Sequence, residues 1–196
     1  MMRNLAFDFY CRNKYNKNKS IFREERYRKE GECSLRSIVL EAKDSVCSLF
    51  QGNEYLQVLC DVIDQAIVLS ENDRTDEENI RELGEGWVAE ETLAIAIYCS
   101  LKYENDFNAG IIAAVNHDGD SDSTGAVVGN ILGAIHGYDC IEEKWTRDLE
   151  LHDVIIELAD DLYDGCQMSE YSSYYDEAWY RKYVGMHWKE KDNEIS

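Results

Sequence analysis

From about residue 54 onward, apolar residues recur at intervals of three and four along the chain. This spacing collects them on one face of an α-helix, whereas a half-buried strand would place an apolar residue at every second position. The first helix predicted in this way has an apolar face made of Leu56, Leu59, Ile63, Ala66 and Ile67. No two-residue alternation competes with the helical spacing, so the pattern predicts an all-α fold with a helical core from Glu54 to Tyr163 and at most short strands elsewhere.

A capping pattern marks the start of the next helix. Thr75 is followed three residues later by Glu78, so each side chain can bind the backbone amide of the other residue. Gly84 stands where this helix would end, since glycine readily adopts the backbone conformation that follows a helix C-terminus. We therefore expect a short helix between Thr75 and Gly84.

Further stretches repeat the helical spacing. Residues 88–101 contain an apolar stripe, Asp106 is placed to cap a helix that starts at the next residue, and residues 152–163 repeat the pattern. The stripes consist of Val88, Leu93, Ile97 and Leu101 in the first stretch and of Val154, Leu158 and Leu162 in the last. We expect the indoles of Trp87 and Trp145 to lie in the core or in the wall of a ligand site.

The length of 196 residues suits one domain, and 44% hydrophobic with 31% charged residues is typical of soluble globular proteins. No apolar run approaches the roughly 20 residues of a membrane-spanning helix. The first residues also lack the apolar core of a secretory signal. We therefore expect a cytoplasmic protein without membrane contact.

The net charge of −20 is unevenly distributed. Residues 1–31 contain nine Lys or Arg and four acidic residues, whereas the rest of the chain contains 11 basic and 36 acidic residues. We divide the chain into a basic leader, residues 1–50, whose order the sequence leaves open, and a helical domain, residues 51–196. Because nucleic-acid affinity depends on basic side chains that neutralise phosphates, the acidic domain argues against a nucleic-acid partner.

Seven cysteines are present, and none forms a CxxC pair. Cys47, Cys60 and Cys99 stand among apolar residues, where a reduced thiol packs as a small hydrophobe. Structural zinc sites usually need closely spaced pairs of ligands, which this sequence lacks. The cysteines are therefore interpreted as reduced residues rather than as redox or zinc sites.

The segment NHDGDSDSTG, residues 116–125, concentrates the candidate chemistry of the chain. Asp118, Asp120 and Asp122 alternate there and are followed by Ser123. Carboxylates and hydroxyls are hard oxygen ligands that suit Mg²⁺ or Ca²⁺ better than a thiol-seeking metal. Glycines then recur every four residues, at Gly125, Gly129 and Gly133. Each costs about 1 kcal/mol relative to alanine inside a helix, so the ridge implies the close approach of a backbone or a ligand.

Two other interpretations of this segment fit less well. An EF-hand loop beginning at Asp118 would need glycine at its sixth position and glutamate at its twelfth, where the chain has serine and glycine. The D-x-D-x-T nucleophile loop of haloacid-dehalogenase-like phosphatases matches residues 120–124. That loop should follow a hydrophobic strand near the start of its domain, whereas the residues before Asp120 have helical spacing.

Two stretches together resemble the C-terminal half of bacterial ADP-ribosylglycohydrolases. They are GEGWVAEETLAIAIYCSLKY, which begins at Gly84, and AAVNHDGDSDSTGAVVGNILGAIHG, which begins at Ala113. The likeness extends from about Leu59 to Tyr163, and its most specific part is GDSDST. The resemblance implies an all-helical fold in which two Mg²⁺ ions lie between an N-terminal Thr-Asp-Asp motif and a C-terminal Asp-x-Asp-Thr/Ser motif.

By this resemblance, Asp120, Asp122 and Ser123 are magnesium ligands. The implied activity is hydrolysis of the N- or O-glycosidic bond between ADP-ribose and a protein side chain, so the implied partner is an ADP-ribosylated protein or ADP-ribose. Gly84 and Gly86 correspond to the Gly-rich segment of the family. Two roles fit them equally well: their backbone contacts the substrate, or they only end the preceding helix. We also include Asp118 among the candidates for substrate contact.

The N-terminal half of the family pattern, with its Thr-Asp-Asp motif and its catalytic acidic residue, has no counterpart that we find in these 196 residues. The sequence Thr75-Asp76-Glu77 lacks the second aspartate and is better explained as a helix cap. We therefore expect an incomplete magnesium site that needs a complementary chain or a homo-oligomer, and we assign no catalytic residue. The alternative is a truncated, non-catalytic relative that acts as a protein-interaction or ADP-ribose-binding module.

Overall fold

The computed structural model describes residues 34–164 and 176–185 of the chain. Every regular element in these two ranges is helical, and neither range contains a β-strand. The all-α class expected from the apolar spacing is therefore confirmed. The phosphatase interpretation is wrong, because the residues that precede Asp120 form a helix instead of the strand that such a nucleophile loop requires.

The described residues belong to two compact units, which divide between Glu142 and Glu143. The helices of the first unit are α1 (Leu35–Leu49), α2 (Leu56–Leu69), α3 (Asp76–Leu83), α4 (Ala89–Lys102), α5 (Phe107–Val115) and α6 (Ser121–His136), followed by a 3-10 turn at Tyr138–Cys140. Those of the second unit are α7 (Glu143–Thr146), α8 (His152–Asp164) and α9 (Glu177–Trp179), which continues as a π-helical turn over Tyr180–Val184. None of these helices combines the length and the apolar character that crossing a membrane requires.

Helix α4 lies at the centre of the first unit. Its residues from Ala94 to Ser100 are all buried, so this stretch has no solvent-exposed face. The one-sided stripe expected from the sequence is therefore only part of the pattern, because a helix surrounded by other helices is apolar all round. Helices α2, α3, α5 and α6 pack around it and contribute core side chains such as Ile63, Ile80 and Leu132.

Helix α3 begins with the capping box that the sequence predicts. The Thr75 hydroxyl accepts a hydrogen bond from the Glu78 amide (3.3 Å), and the Glu78 carboxylate accepts one from the Thr75 amide (3.1 Å). At the other end of the helix, Gly84 has a φ of 121°, and its amide donates to the Ile80 carbonyl (3.1 Å). Both predicted ends of this helix are confirmed.

A charged network joins the start of α3 to α4. The Asp76 carboxylate accepts hydrogen bonds from the hydroxyls of Tyr98 (2.5 Å) and Tyr103 (2.6 Å), and it pairs with the Lys102 ammonium (2.9 Å). Burial by itself would raise the pKa of Asp76, but these three donors outweigh burial and keep the pKa below its usual value. The carboxylate is therefore ionised at neutral pH and connects the two helices.

Two ion pairs connect α1 to α2 and to the turn that follows it: Lys43 pairs with Asp64 of α2, and Arg36 pairs with Glu71, which lies just beyond the end of α2. From Arg36 to Lys43 the chain advances by seven residues, whereas their partners go back by seven residues, from Glu71 to Asp64, so the two helices are antiparallel. Helix α1 lies inside residues 1–50, which the sequence assigned to a basic leader. Residues 1–33 of that leader lie outside the described residues, and the domain boundary near residue 50 stays a prediction.

Helices α5 and α6 approach each other closely at small residues. A Cβ atom at Gly110 of α5 would lie 2.4 Å from the Leu132 side chain, and one at Gly125 of α6 would lie 2.7 Å from the Val115 side chain. A Cβ atom at Gly133 would meet nothing within 4 Å. Gly125 thus lies against a side chain of α5, and the approach of a backbone or a ligand along the glycine ridge of α6 stays a prediction.

A second charged network stabilises the second unit. Lys182 pairs with Glu157 (2.8 Å) and with Asp161, which also accepts a hydrogen bond from the Tyr183 hydroxyl. The ring of Tyr183 lies against that of Trp179, with ring centroids 5.4 Å apart. These contacts connect α8 to the helical segment that begins with α9.

The expectation that Trp87 and Trp145 are interior residues is wrong. The two residues are 68% and 38% exposed, respectively. Trp87 precedes the first turn of α4 and so lies outside the buried part of this helix. Its indole N–H donates to the Glu85 carboxylate (3.1 Å). Trp145 lies on the short helix α7, where the Lys144 ammonium is 5.3 Å from the centroid of the indole.

Replacing Gly110 with alanine should destabilise the first unit. The added methyl group would overlap the end of the Leu132 side chain, which is fully buried, and overpacking of this kind costs about 1–3 kcal/mol. The matched change Gly133→Ala meets no neighbour, so the better helix propensity of alanine should stabilise the chain by up to about 1 kcal/mol. Urea unfolding of both variants measures the difference, and equal transition midpoints would contradict the packing of α5 on α6.

Candidate functional site

The aspartate-rich loop ends where α6 begins. Asp120 is the N-cap residue of α6, and its carboxylate accepts from the Ser123 amide (3.4 Å). The same amide lies 3.0 Å from a carboxylate oxygen of Asp122. A carboxylate in this position satisfies an amide that the first turn of a helix leaves unpaired. The sequence thereby places three oxygen-bearing side chains within one helical turn.

These three side chains also interact with one another. A hydrogen bond with the Asp122 side chain, and next one with the Ser123 side chain, lowers the pKa of Asp120 from its usual value. The positive end of the α6 dipole favours the ionised carboxylate in the same direction. Two adjacent carboxylates also repel each other when both are ionised, and a bound cation relieves such repulsion. The start of α6 therefore carries two neighbouring acidic side chains.

A buried hydroxyl anchors the loop. Thr124 is fully buried, and its hydroxyl donates to the Ala114 carbonyl at the end of α5 (2.7 Å). Nε2 of His117 lies 3.0 Å from the same hydroxyl, and Nδ1 of His117 accepts from the Gly119 amide (3.1 Å). Because Nδ1 is the acceptor, this geometry assigns the ring proton to Nε2, which donates to Thr124. His117 therefore connects the middle of the loop to the first turn of α6.

The loop also contacts the segment that precedes α4. The Asp120 amide donates to the Glu85 carbonyl (2.7 Å). A Cβ atom at Gly119 would lie 1.8 Å from that carbonyl oxygen, a distance that no side chain tolerates. Glycine is therefore required where the two backbones meet. This contact places the Gly-rich segment directly beside the aspartate loop.

Two side chains of α4 hold the Gly-rich segment. The Glu91 carboxylate accepts from the amides of Glu85 (3.2 Å) and Gly86 (3.0 Å), and the Thr92 hydroxyl donates to the Gly86 carbonyl (2.7 Å). Gly86 is buried with a φ of 82°, and a Cβ atom at this position would lie 3.6 Å from the Cβ atom of Asp120. The segment is thus fixed from one side by α4 and borders the aspartate loop on the other.

The structure brings together most of the residues that the sequence singles out. Asp120, Asp122 and Ser123 share one helical turn, and Gly86 lies beside Asp120. Their grouping follows from the N-cap of α6 and from the backbone contact with the Gly-rich segment.

The other two candidates, Gly84 and Asp118, lie outside the acidic turn. Gly84 ends α3, where the absence of a side chain leaves room for Glu91, since a Cβ atom would lie 2.4 Å from it. Asp118 is exposed at the middle of the loop. Contact of Gly84, Gly86 and Asp118 with a substrate stays a prediction.

Sequence reasoning missed the residues that support the site. His117 and Thr124 fix the aspartate loop, and Glu91 fixes the Gly-rich segment. A histidine immediately before Asp118 and a glutamate in the first turn of a helix are the available signals. Neither signal specifies the partner, because the hydrogen bonds depend on how the chain folds back.

The oxygen donors fit part of a magnesium site. The carboxylates of Asp120 and Asp122 and the hydroxyl of Ser123 are ligands of the kind that Mg²⁺ prefers. Within residues 34–164 and 176–185, no group of three or more His, Cys, Asp or Glu side chains is arranged to hold a metal ion. Mg²⁺ demands near-octahedral coordination, so these donors are a partial set and their role as ligands stays a prediction.

A comparison with known protein families matches the same region of the chain. The profile of the ADP-ribosylglycohydrolase family matches residues 25–172, which include the Gly-rich segment and the aspartate loop. The chain belongs to the ADP-ribosylglycohydrolase family. The resemblance stated from the two sequence stretches is therefore confirmed.

Curated proteins similar to this ADP-ribosylglycohydrolase family member include the human protein named ADP-ribosylhydrolase ARH3. It is 29% identical over 141 residues, which cover 67% of this chain and 37% of the human protein. The mouse protein of the same name is 28% identical over 122 residues, covering 57% of this chain and 31% of the mouse protein. An uncharacterised protein of Archaeoglobus fulgidus is 36% identical over 93 residues, covering 47% of this chain and 30% of that protein. The chain thus spans about a third of the length of these relatives, and no solved structure is a significant match.

Removing the Thr124 hydroxyl should destabilise the aspartate loop. Thr124→Val preserves the shape of the side chain but leaves the Ala114 carbonyl and the His117 ring proton without this partner, which costs about 1–3 kcal/mol. Ser45→Ala is the control in the same unit, since it removes an exposed hydroxyl that donates to the Glu41 carbonyl, and it should cost less than about 0.5 kcal/mol. Urea unfolding compares the two, and equal losses would show that the buried hydroxyl does not anchor the loop.

Proposed function

We propose that this chain supplies one side of the magnesium site of an ADP-ribosylhydrolase, which hydrolyses the N- or O-glycosidic bond between ADP-ribose and a protein side chain. The observation that carries the proposal is the single helical turn that contains Asp120, Asp122 and Ser123. Membership of the ADP-ribosylglycohydrolase family supports this activity, as does the likeness to a human protein named ADP-ribosylhydrolase ARH3.

In this proposal the acidic turn binds the cation. Asp120 and Asp122 bind it through their carboxylates, and Ser123 binds it through its hydroxyl. When bound, Mg²⁺ orients the ribose hydroxyls and a water molecule at the anomeric carbon. Hydrogen bonds with the Asp122 and Ser123 side chains lower the pKa of Asp120. The N-terminus of α6 also favours the ionised carboxylate, which is the form that binds a cation. We include in the proposal that Asp118, which is exposed in the same loop, and Gly86, which borders that loop, contact the substrate.

Three oxygen ligands from one turn do not complete the near-octahedral shell of Mg²⁺. The Thr-Asp-Asp motif that supplies opposing ligands in the family has no counterpart in these 196 residues. We therefore assign the remaining protein ligands to a complementary chain or to a homo-oligomer. Positioning of water and substrate can account for roughly 7–11 kcal/mol of a barrier, so a site with one side alone should be slow or inactive.

The alternative function is a non-catalytic module that binds ADP-ribose or another protein. The observation that favours it is a group of exposed apolar residues where α1 leads into α2, with Leu49 62%, Tyr55 71% and Val58 57% exposed. Exposed apolar side chains close together in the chain are a feature of surfaces that contact another protein. The two functions differ in whether the acidic turn is needed for turnover.

Calorimetric titration of the 196-residue chain with MgCl₂ should show weak binding that depends on Asp122. Asp122→Ala removes one of the two carboxylate ligands, so the affinity should fall by at least about tenfold, since even outer-shell partners of a metal are worth this much. Asp139→Ala is the matched control, because it removes the same charge from an exposed position outside the loop and should leave the affinity unchanged. Equal affinities for Asp122→Ala and the parent chain would show that the ligand assignment is wrong.

The isolated chain should release ADP-ribose from a modified peptide slowly or not at all. Adding a separately expressed segment of a family relative that carries the Thr-Asp-Asp motif should restore turnover, because Asp120 and Asp122 would then face opposing ligands. Asp120→Ala should reduce the restored rate by roughly 100-fold or more, whereas Asp139→Ala should not change it. Chromatography of released ADP-ribose measures the rates.

Two results would decide against this proposal. Fast, Asp120-dependent hydrolysis by a verified monomer of this chain alone would contradict the need for complementary ligands. Binding of ADP-ribose without turnover in any mixture, unchanged by Asp120→Ala, would favour the non-catalytic module instead.

A further inference from the structure

Two cysteine thiols meet between α1 and α2. Cys47 of α1 and Cys60 of α2 place their Sγ atoms 2.7 Å apart, and both are free thiols. A disulfide needs an Sγ–Sγ bond of about 2.05 Å and two side chains that point towards each other. The side chains already point towards each other, so the sulfurs need only a small further approach to bond.

The pairing of the two helices holds these thiols opposite each other. Lys43 precedes Cys47 by four residues on α1, and its partner Asp64 follows Cys60 by four residues on α2. Residues four apart lie on the same face of a helix, so the ion pair and the thiol pair are successive contacts of one antiparallel register. The ion pair of Arg36 with Glu71, between the start of α1 and the turn after α2, follows the same register. The meeting of the thiols therefore follows from the docking of α1 as a whole.

We propose that Cys47 and Cys60 form an oxidation site, at which a peroxide converts the two thiols into a disulfide that links α1 to α2. Cys47 is partly exposed, whereas Cys60 is buried, so the peroxide reaches Cys47 first. This inference gives a chemical role to two cysteines that the sequence alone presents as small hydrophobic residues, and it does not depend on the magnesium site.

The reaction balances in two steps. The Cys47 sulfur attacks one oxygen of hydrogen peroxide, the O–O bond breaks, and a sulfenic acid and one water molecule form. The Cys60 sulfur then attacks the sulfenic sulfur, the S–O bond breaks, and the departing hydroxide takes up the Cys60 proton as a second water molecule. The two thiols together lose two electrons, and the peroxide is reduced to two water molecules.

The hydrogen bond between the thiols fits this order of events. The contact with Cys47, and next burial, raises the pKa of Cys60 to about 11. Cys60 therefore keeps its proton until the second step, in which the departing hydroxide takes it up. Cys99 offers a contrast, because it is fully buried in α4 and burial raises the pKa of its thiol. Peroxide should therefore oxidise the pair before it oxidises Cys99.

Oxidation would change how firmly α1 is attached. Leu35 is the buried residue of α1, and ion pairs at a protein surface contribute little to stability. A disulfide would close a loop over residues 47–60 and restrict the unfolded chain. The same bond would therefore add a covalent link to the packing and polar contacts that hold α1.

The test is oxidation of the full chain with hydrogen peroxide, followed by alkylation of the remaining thiols and peptide mapping. No lysine or arginine lies between residues 44 and 73, so trypsin leaves both cysteines in the peptide 44–74. The disulfide should protect both thiols from alkylation. The oxidised peptide should also be lighter than the dithiol peptide by the mass of two hydrogen atoms. Further cleavage after Glu54 should yield two fragments that separate only when a reducing agent is added.

The oxidised parent chain should also unfold at a temperature at least about 5 °C above that of the reduced chain, and dithiothreitol should reverse the shift. Cys47→Ser should lose this shift. Cys140→Ser removes a partly buried thiol elsewhere in the same unit and should keep it.

Complete alkylation of Cys47 and Cys60 after a treatment that oxidises the other cysteines would overturn the proposal. A bond from either residue to a different cysteine would overturn it as well. A Cys47–Cys60 disulfide without a change in the unfolding temperature would overturn the role in attaching α1. The peptide map of the parent chain decides the question even if a variant does not fold.

Discussion

The complete burial of α4 is the constraint on which the first unit depends. Because residues 94–100 have no exposed face, the neighbouring helices must cover every side of α4. Removing apolar surface from water contributes roughly 25 cal/mol per Å², so a helix covered all round contributes more than one buried along a single stripe. Polar side chains at the two ends of this buried helix then hold other segments in place. Glu91 holds the Gly-rich segment at one end, and Lys102 pairs with Asp76 at the other, so α4 positions the acidic loop indirectly through the Glu85 carbonyl.

Much of the fold could be predicted from the sequence, because its signals are local. A cap depends on residues three apart, and the predicted caps at Thr75 and Asp106 are both present. Helical spacing likewise identified α2 and the stretches around α4 and α8. The errors concern exposure. The indoles of Trp87 and Trp145 were expected in the core or in the wall of a ligand site. Their burial depends on where a helix begins and on which surfaces meet, and neither is encoded locally.

The candidate site likewise has a part that the local sequence predicts and a part that depends on distant contacts. The acidic turn of α6 could be predicted, since Asp120, Asp122 and Ser123 lie next to each other in the sequence and the family motif contains them. The contacts that support this turn could not be predicted from the sequence. The approach of Gly119 to the Glu85 carbonyl joins segments that are far apart in the chain, and a single sequence does not specify which distant backbone a glycine will meet.

The antiparallel pairing of α1 with α2 also selects one alignment among several. Sliding α1 by one turn in either direction would set Lys43 opposite Val68 or opposite Cys60, and in both cases its ammonium would lose Asp64. Apolar faces alone discriminate poorly between such alignments, because one aliphatic contact replaces another at little cost. Charges that match in a single register penalise the alternatives, as unpaired polar groups do in coiled coils. The ion pairs of α1 thus matter less for how stable the first unit is than for which arrangement the folding chain adopts.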